Sequence, residues 1–496
     1  MSHAVTAPSD VVSRLEKAGQ AHVLSHWDRL KAADRAALLE QVAGIDWDSL
    51  PELIRTYVTG KPAVEISPED IEPAPYFPKD HTIPGRGWNK SKYEVMGEDL
   101  LRQGKVAAFT VAGGQGTRLG FDGPKGAYPG GGITGKPLFA CLADWIVAAQ
   151  KRYGRTIPWY VMTSPINHAA TVEFFKQNDY CGLNPRDIMF FSQGVMPSFD
   201  MASGRVLMNA PHEIATNPDG HGGSLRALWN SGAINDMRAR GVEHISYVQI
   251  DNPLARVIDP VFIGLHAFAP DSSGEMSSKM VAKTDPGEKV GVFAKAQGKV
   301  RVLEYSDLPK HLAEARNADH TLKFNAGSIA IHMIGVEFVA RLNSDGRGGS
   351  GAGASDPEGR AGFRLPFHRA EKKVPFFDLS SGQPVNPAKP NAVKLETFVF
   401  DAVPMCRSSI VYETDRIDEF APIKNAEGTD SPETCRRIQT ERAARWLERV
   451  GVKVPRDERG ECQCTIEISP VTAMGAEDLD TARLPKRIEP GQSVVL

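Results

Sequence analysis

Val106-Ala-Ala-Phe-Thr-Val-Ala112, running into Gly113-Gly-Gln-Gly-Thr-Arg-Leu-Gly-Phe-Asp-Gly-Pro-Lys-Gly126, decides how this chain is read. A short continuous apolar run that ends at glycine predicts a buried strand. The loop after it carries few side chains. Backbone groups around the closely spaced Gly113, Gly114 and Gly116 could therefore approach a polyphosphate closely, with Arg118 and Lys125 meeting its charge. Phosphate chemistry on a nucleotide is the first expectation. Gly114-x-Gly116-x-x-x-Gly120 is not the dinucleotide fingerprint, whose glycines follow a different spacing. Further on, Gly130-Gly-Gly-Ile-Thr-Gly-Lys-Pro137 nearly spells a Walker A loop. Proline stands where the magnesium-binding hydroxyl belongs, and no clean strand precedes the loop, which argues against a P-loop.

Composition sets the outer bounds. The chain has 496 residues, of which 41% are hydrophobic, enough for a large core rather than disorder. Its 58 basic and 61 acidic residues give a formal charge of −3, so no general attraction to nucleic acid or anionic membrane is expected. No apolar run nears the roughly 18 residues of a membrane helix. The first residues lack the charged-then-apolar pattern of a signal peptide. Six cysteines without a C-x-x-C pair fit a reduced, cytoplasmic protein without structural zinc.

Along the chain, periodic apolar positions between 9 and 50 predict helices, and the Pro- and charge-rich stretch 60–92 reads as an extended connector. From about 100 to 400, short β-type runs alternate with helical ones, the pattern of an α/β sheet with crossover helices. Expected strands are 106–112, 159–163, 188–191 and 245–250; expected helices are 137–151, 167–177 and 224–240. The stretch 346–360 holds six glycines in fifteen residues and reads as a flexible surface insertion. A charged helix near 432–450 and a short β-run at 465–469 follow. The partition drawn from this is 1–100, 101–405 and 406–496.

Open α/β sheets bind ligands beyond the carboxyl ends of their strands. Asp251, in Asp251-Asn-Pro253 after an expected strand, stands at such an end. It could hold Mg²⁺ with phosphate oxygens, or merely make a turn. His212-Glu213 reads as a helix start. Pro218-Asp-Gly-His-Gly-Gly223 could be a plain turn, but it immediately precedes an expected helix and suits a base or phosphate. Lys394 to Asp401 alternates as a strand does, with Phe398 and Phe400 on one face. No covalent-hydrolase signature is present.

Together these segments resemble the eukaryotic-type UDP-sugar pyrophosphorylases. The resemblance runs through Gly113–Gly120, Pro124–Gly126, Phe191-Ser-Gln-Gly-Val-Met-Pro197, Pro218–Gly223, Asp251-Asn252 with Asp259-Pro260, and Glu304-Tyr-Ser306. It continues through Phe324-Asn-Ala-Gly-Ser328, Lys394–Asp401, Glu419-Phe-Ala-Pro-Ile-Lys-Asn425 and Glu467-Ile-Ser-Pro470, nearest to the N-acetylglucosamine branch. It implies an α/β nucleotidyltransferase core on a Rossmann-like mixed sheet, with a helical N-terminal region and a small C-terminal α+β domain. It also implies formation of UDP-N-acetylglucosamine and pyrophosphate from UTP and the sugar 1-phosphate, with Mg²⁺, or Mn²⁺ in its place.

By resemblance, Ala112, Gly113, Gly114 and Asp251 hold the nucleotide, and Gln193 and Gly222 read the uracil edge. Arg118 and Lys125 take the departing phosphates, while Lys394 and Lys424 take the sugar phosphate. Asp251 with Asp401 carries the metal. His221, Glu304, Asn325 and Gly327 meet the sugar, and Phe398 and Phe400 wall its acetyl methyl. Three departures bear on the sugar: His221 stands where the N-acetylglucosamine enzymes usually carry Asn, the 130–137 run is atypical, and the glycine-rich 346–360 stretch has no expected counterpart. UDP-glucose or broad-specificity synthesis is therefore the alternative expectation, and a catalytically silent nucleotide-sugar binder the third.

Overall fold

A computed structural model describes residues 6–60, 66–344 and 365–496. The glycine-rich stretch 346–360 lies outside them. By contact the chain divides into two units. One comprises Met1–Glu65, Gln193–Ser224 and Leu365–Val399; the other comprises Ile66–Ser192, Leu225–Arg364 and Phe400–Leu496. The linear partition at 100 and 405 gives way to an interleaved one because sequence-distant segments share cores. Leu15, Leu38 and Trp47 pack in one apolar cluster with Phe199, Val393 and Leu395.

The larger unit is built on a ten-stranded mixed sheet. Its strands are β1 (Glu72–Pro73), β2 (Val106–Val111), β3 (Trp159–Thr163), β4 (Ile188–Ser192) and β5 (His244–Gln249). After these come β6 (Met276–Ala282), β7 (Val292–Ala296), β8 (Lys299–Leu303), β9 (Ala326–Gly335) and β10 (Val411–Glu413). The strands expected from the apolar runs all form. β4, β3, β2 and β5 lie side by side and parallel, and β9 joins antiparallel to β5. This places the first parallel strand beside the fourth, so the chain reverses direction across the sheet between β2 and β5. Such a switch point opens a crevice at the strand ends.

β2 is buried from Val106 through Thr110, as befits a strand covered on both faces. On one side Phe109 lies between Tyr247 and Phe191, with ring centroids at 5.6 and 6.0 Å. On the other, helix Leu138–Tyr153 buries Phe139 against Phe175 at 4.9 Å and ends on Gly154, whose φ of +65° favours glycine. Helix His168–Gln177 follows β3 as expected. The helix expected over 224–240 is two, Gly223–Asn230 and Ala233–Ala239, broken at Gly232 with φ +81°. The 60–92 stretch contributes the edge strand β1, which the proline content concealed; prolines are tolerated at an edge.

In the smaller unit, helices Ser9–Lys17 and Ala32–Ala43 accompany a three-stranded sheet of Phe367–Lys372, Ala392–Thr397 and Phe199–Asp200. Two local expectations fail here. His212-Glu213 is no helix start: Glu213–Ile214 pairs with Met208–Ala210 in a hairpin, and nothing after it carries a helical period. The strand expected through Asp401 stops at Thr397, and Val399–Met405 turns into a 3₁₀ helix. The alternation of Phe398 and Phe400 therefore does not report a shared strand face.

Candidate active site

The crevice between β2 and β5 carries the first group of expected residues. Val111 pairs with Gln249, and the Ile250 N–H donates to the Val111 carbonyl at 3.1 Å, so Ala112 and Asp251 leave adjacent strand ends. The glycine loop is pinned from within. Asn167 Nδ2 donates to the carbonyls of Ala112 (2.9 Å) and Gly114 (3.1 Å), while its Oδ1 accepts the Ser164 N–H at 2.8 Å. Gln115 bridges to Pro124, the Gly116 N–H donates to Gly123, and the Lys125 N–H donates to Gly114. Residues 115–124 thus fold back on themselves and bring Lys125 beside Gly114. Among the described residues, no protein group accepts from the N–H of Gly113 or Gly114. A Cβ on Gly114 would find only the Lys125 Cδ, at 3.9 Å, whereas one on Gly126 would enter the Phe139 ring at 2.1 Å.

Lys125 Nζ stands 3.7 Å from Asp251 Oδ2, both side chains largely buried. Burial pushes the Lys125 ammonium below its usual range; Asp251 opposes this, and the charges of Lys424 and Arg118 add to it. Arg118 projects from the exposed turn Thr117–Leu119. Lys424 is held by its own N–H donating to the Asp430 carbonyl at 2.7 Å, and its ammonium lies 3.6 Å from the Asp430 carboxylate. The Ile423 N–H donates to the Asp251 carbonyl at 2.8 Å, Asn252 Nδ2 donates to the Glu419 carbonyl, and Asn252 Oδ1 accepts the Ala421 N–H. Asp251, Asn252, Ser328, Ala330 and Lys424 line one cleft. Ala330 there holds φ +55°, a strained conformation of the sort that gathers at functional sites.

A second group lies in the same unit around the β7–β8 hairpin. Val292 pairs with Leu303, which sets Gly291 against Glu304; a Cβ on Gly291 would come within 3.5 Å of Glu304 Oε1. Asn325 receives the Lys283 and Gly327 N–H groups on its carbonyl. Gly327 is hemmed by Val281, Lys283 and Val290 at 3.1–3.3 Å, so a larger residue would push them apart.

The smaller unit holds a third group. His221 stacks on Phe398 at 5.1 Å and 12°, and Phe398 stacks on His368 at 4.2 Å. His221 Nδ1 accepts the Val399 N–H at 3.1 Å; burial, helped by the nearby His368, depresses its pKa to about 4, so the ring is neutral at pH 7. The Gly222 N–H donates to the Thr397 carbonyl, and a Cβ there would meet backbone at 2.7 Å. Asp219 braces this turn: its carbonyl accepts the Thr397 N–H, and its carboxylate crowds Gly194, the neighbour of the buried Gln193. Lys394 lies mid-strand opposite Ala370. Phe400 and Asp401 belong to the larger unit, in the Val399–Met405 turn.

Sequence reasoning passed over Asn167, Asn252 and Asp219, which orient the expected residues rather than bear charge toward a ligand. Asn252 was legible as the residue after Asp251; Asn167 carried only the ordinary signal of a helix start. No group of three or more Asp, Glu, His or Cys side chains gathers for a metal among the described residues. Mg²⁺ commonly takes one or two protein carboxylates, and Asp251, beside the open glycine loop, is a carboxylate of that kind.

A glycine loop and a carboxylate thus stand together at the switch point with Lys125 and Lys424 beside them, the place where open α/β sheets bind ligands, and the comparisons with known proteins give the class: a nucleotidyltransferase. The chain belongs to the UDP-sugar pyrophosphorylase family: the family model described as UTP--glucose-1-phosphate uridylyltransferase matches residues 52–345. It is 35% identical to the UDP-N-acetylglucosamine pyrophosphorylase of Saccharomyces cerevisiae, covering 88% of this chain and 91% of that one. It is 33% identical to UDP-N-acetylhexosamine pyrophosphorylase-like protein 1 of Xenopus tropicalis, covering 94% and 92%. The crystal structure of the Trypanosoma brucei uridine diphosphate N-acetylglucosamine pyrophosphorylase superposes with a TM-score of 0.79 at 28% identity, covering 98% of both chains.

Proposed function

We propose that the protein is a uridylyltransferase that joins UTP and N-acetylglucosamine 1-phosphate, reversibly, into UDP-N-acetylglucosamine and pyrophosphate. The names of its relatives support the sugar. The observation that carries the chemistry is the Lys125–Asp251 pair beside the uncommitted amides of Gly113 and Gly114.

The sugar phosphate oxygen attacks the α-phosphorus in line, its bond forms as the bond to pyrophosphate breaks, and no proton need move at the reacting atoms. The protein's part is positioning and charge neutralisation. Gly113 and Gly114 donate to phosphate oxygens, Arg118 and Lys125 hold the leaving pyrophosphate, and Lys424 and Lys394 hold the incoming sugar phosphate. Lys125 is partly desolvated before substrate arrives, so phosphate charge relieves its depressed pKa, and binding tightens the ammonium's grip. Asp251 is the residue that would hold Mg²⁺, with Asp401 proposed beside it; the ion supplies neutralisation of phosphate charge. Gln193 and Gly222 are assigned to uracil, and Glu304, Asn325, Gly327, His221, Phe398 and Phe400 to the sugar.

Pyrophosphate release measured with UTP, Mg²⁺ and a panel of sugar 1-phosphates tests this reading. N-acetylglucosamine 1-phosphate is expected to give the highest kcat/KM. Preference for glucose 1-phosphate would replace the sugar assignment, and uridine nucleotide binding without turnover would reject the enzyme.

A further inference from the structure

Lys279 lies in β6 with no exposed surface, an unusual place for an ammonium. Its Nζ donates to Asp259 Oδ2 at 2.6 Å and to both oxygens of Glu419 at 2.8 and 2.6 Å. The rings of Phe262 and Tyr412 lie 5.4 and 5.9 Å from it. Each acid is tied to a different segment. Asp259 ends the run that begins at Asp251 and caps helix Pro260–Phe268 through the Val261 N–H. Glu419 accepts from the Thr414 hydroxyl and opens the run that ends at Lys424. The two runs are stitched together by Asn252, through the Glu419 carbonyl and the Ala421 N–H, and by the Ile423 N–H on the Asp251 carbonyl.

A buried ion triad is a poor way to gain stability, since apolar residues of like volume serve a core as well or better. What it supplies is directional constraint: one ammonium with three short bonds fixes where two carboxylates, and the backbone behind them, must lie. Both backbones carry residues of the reaction proposed above. We propose that Lys279 is a positioning residue that sets Asp251 and Lys424 in mutual register, acting through Asp259 and Glu419 without touching substrate. The inference rests on the proposed function for its kinetic consequence and on the observed bonds for its geometric one.

The test compares wild type, Lys279→Met and the charge-compensated Lys279→Met/Glu419→Gln, with Phe338→Leu, a change at another buried position of the same unit, as a control, and melting temperatures measured for all four. Misplacement by about an ångström commonly costs about 100-fold in rate, so kcat of the folded variants is expected to fall about that far. Phe338→Leu is expected to keep kcat within about twofold. If Lys279→Met fails to fold, the compensated variant decides. A compensated variant with near-wild-type kcat, or a control that loses as much, overturns the proposal. Should wild type release no pyrophosphate, the proposed function fails instead. The positioning claim is then read from a crystal structure of the compensated variant: displaced 251–259 and 419–424 runs support it, and unmoved ones overturn it.

Discussion

Two glycine loops lie a few residues apart in the larger unit, each followed by a lysine, and they have opposite fates. In 113–126 the amides of Gly113 and Gly114 meet no protein acceptor among the described residues, and Lys125 sits beside Asp251. In 130–137 the amides are spent. Ile133 and Thr134 donate to Glu467 Oε2 at 2.7 and 2.8 Å, the Thr134 hydroxyl donates to Oε1 at 2.6 Å, and Gly132 donates to Gln439. The Gly130 and Gly131 amides close on the Lys136 carbonyl, and the Lys136 ammonium pairs with Asp144. A carboxylate of the chain itself fills the nest that the near-Walker spelling suggested for phosphate. Glycine content makes such a nest available; whether the chain supplies an internal anion decides its use.

The sharpest way to break this contrast is Lys125→Ala. Removing a cation aimed at developing charge is expected to lower kcat about 100- to 1000-fold in the pyrophosphate-release assay, with unchanged circular dichroism. Retained turnover would mean the open loop is not the phosphate site. In the intact enzyme, kcat/KM is expected to fall on the alkaline side at a pH below that of an ordinary lysine, because burial disfavours the charged form. Lys125→Arg should move that limb upward.

Within the open loop, Gly126→Ala drives a methyl into the Phe139 ring and is expected to cost about 1–3 kcal/mol of stability in chemical denaturation. Gly114→Ala, with space around it, should leave the unfolding midpoint alone and raise the KM for UTP about tenfold, some 1.4 kcal/mol. If the two variants exchange phenotypes, the division of that loop into a packed end and a receiving end is wrong.

In the closed loop, Glu467→Ala strands three donors and is expected to cost about 2 kcal/mol, visible as a lower melting temperature, with modest loss of activity. Tighter UTP binding in that variant would show that the second nest competes for phosphate. The smallest effect belongs to Lys136→Met: the part-exposed pair with Asp144 contributes about 0.5 kcal/mol, and kcat should stay within about twofold. A Walker-type lysine would lose far more.

The amino-acid sequence by itself determined four of the sheet's ten strands, β2 to β5, because these are local apolar runs whose boundaries need no distant information. It also determined the reaction class, through the order of motifs that carries the family resemblance; Asp251 and Lys424 taken singly read equally well as a turn residue and a surface lysine. Only the tertiary structure decided which amides stay free. The partners of 130–137 come from Gln439 and Glu467, some 300 residues away, and no local pattern encodes that meeting. The same holds for Asn167 behind the open loop and for Lys279, which in sequence is one lysine among many. Hydrogen-bond satisfaction and burial are properties of assembled segments, and they separate two loops that composition alone cannot tell apart.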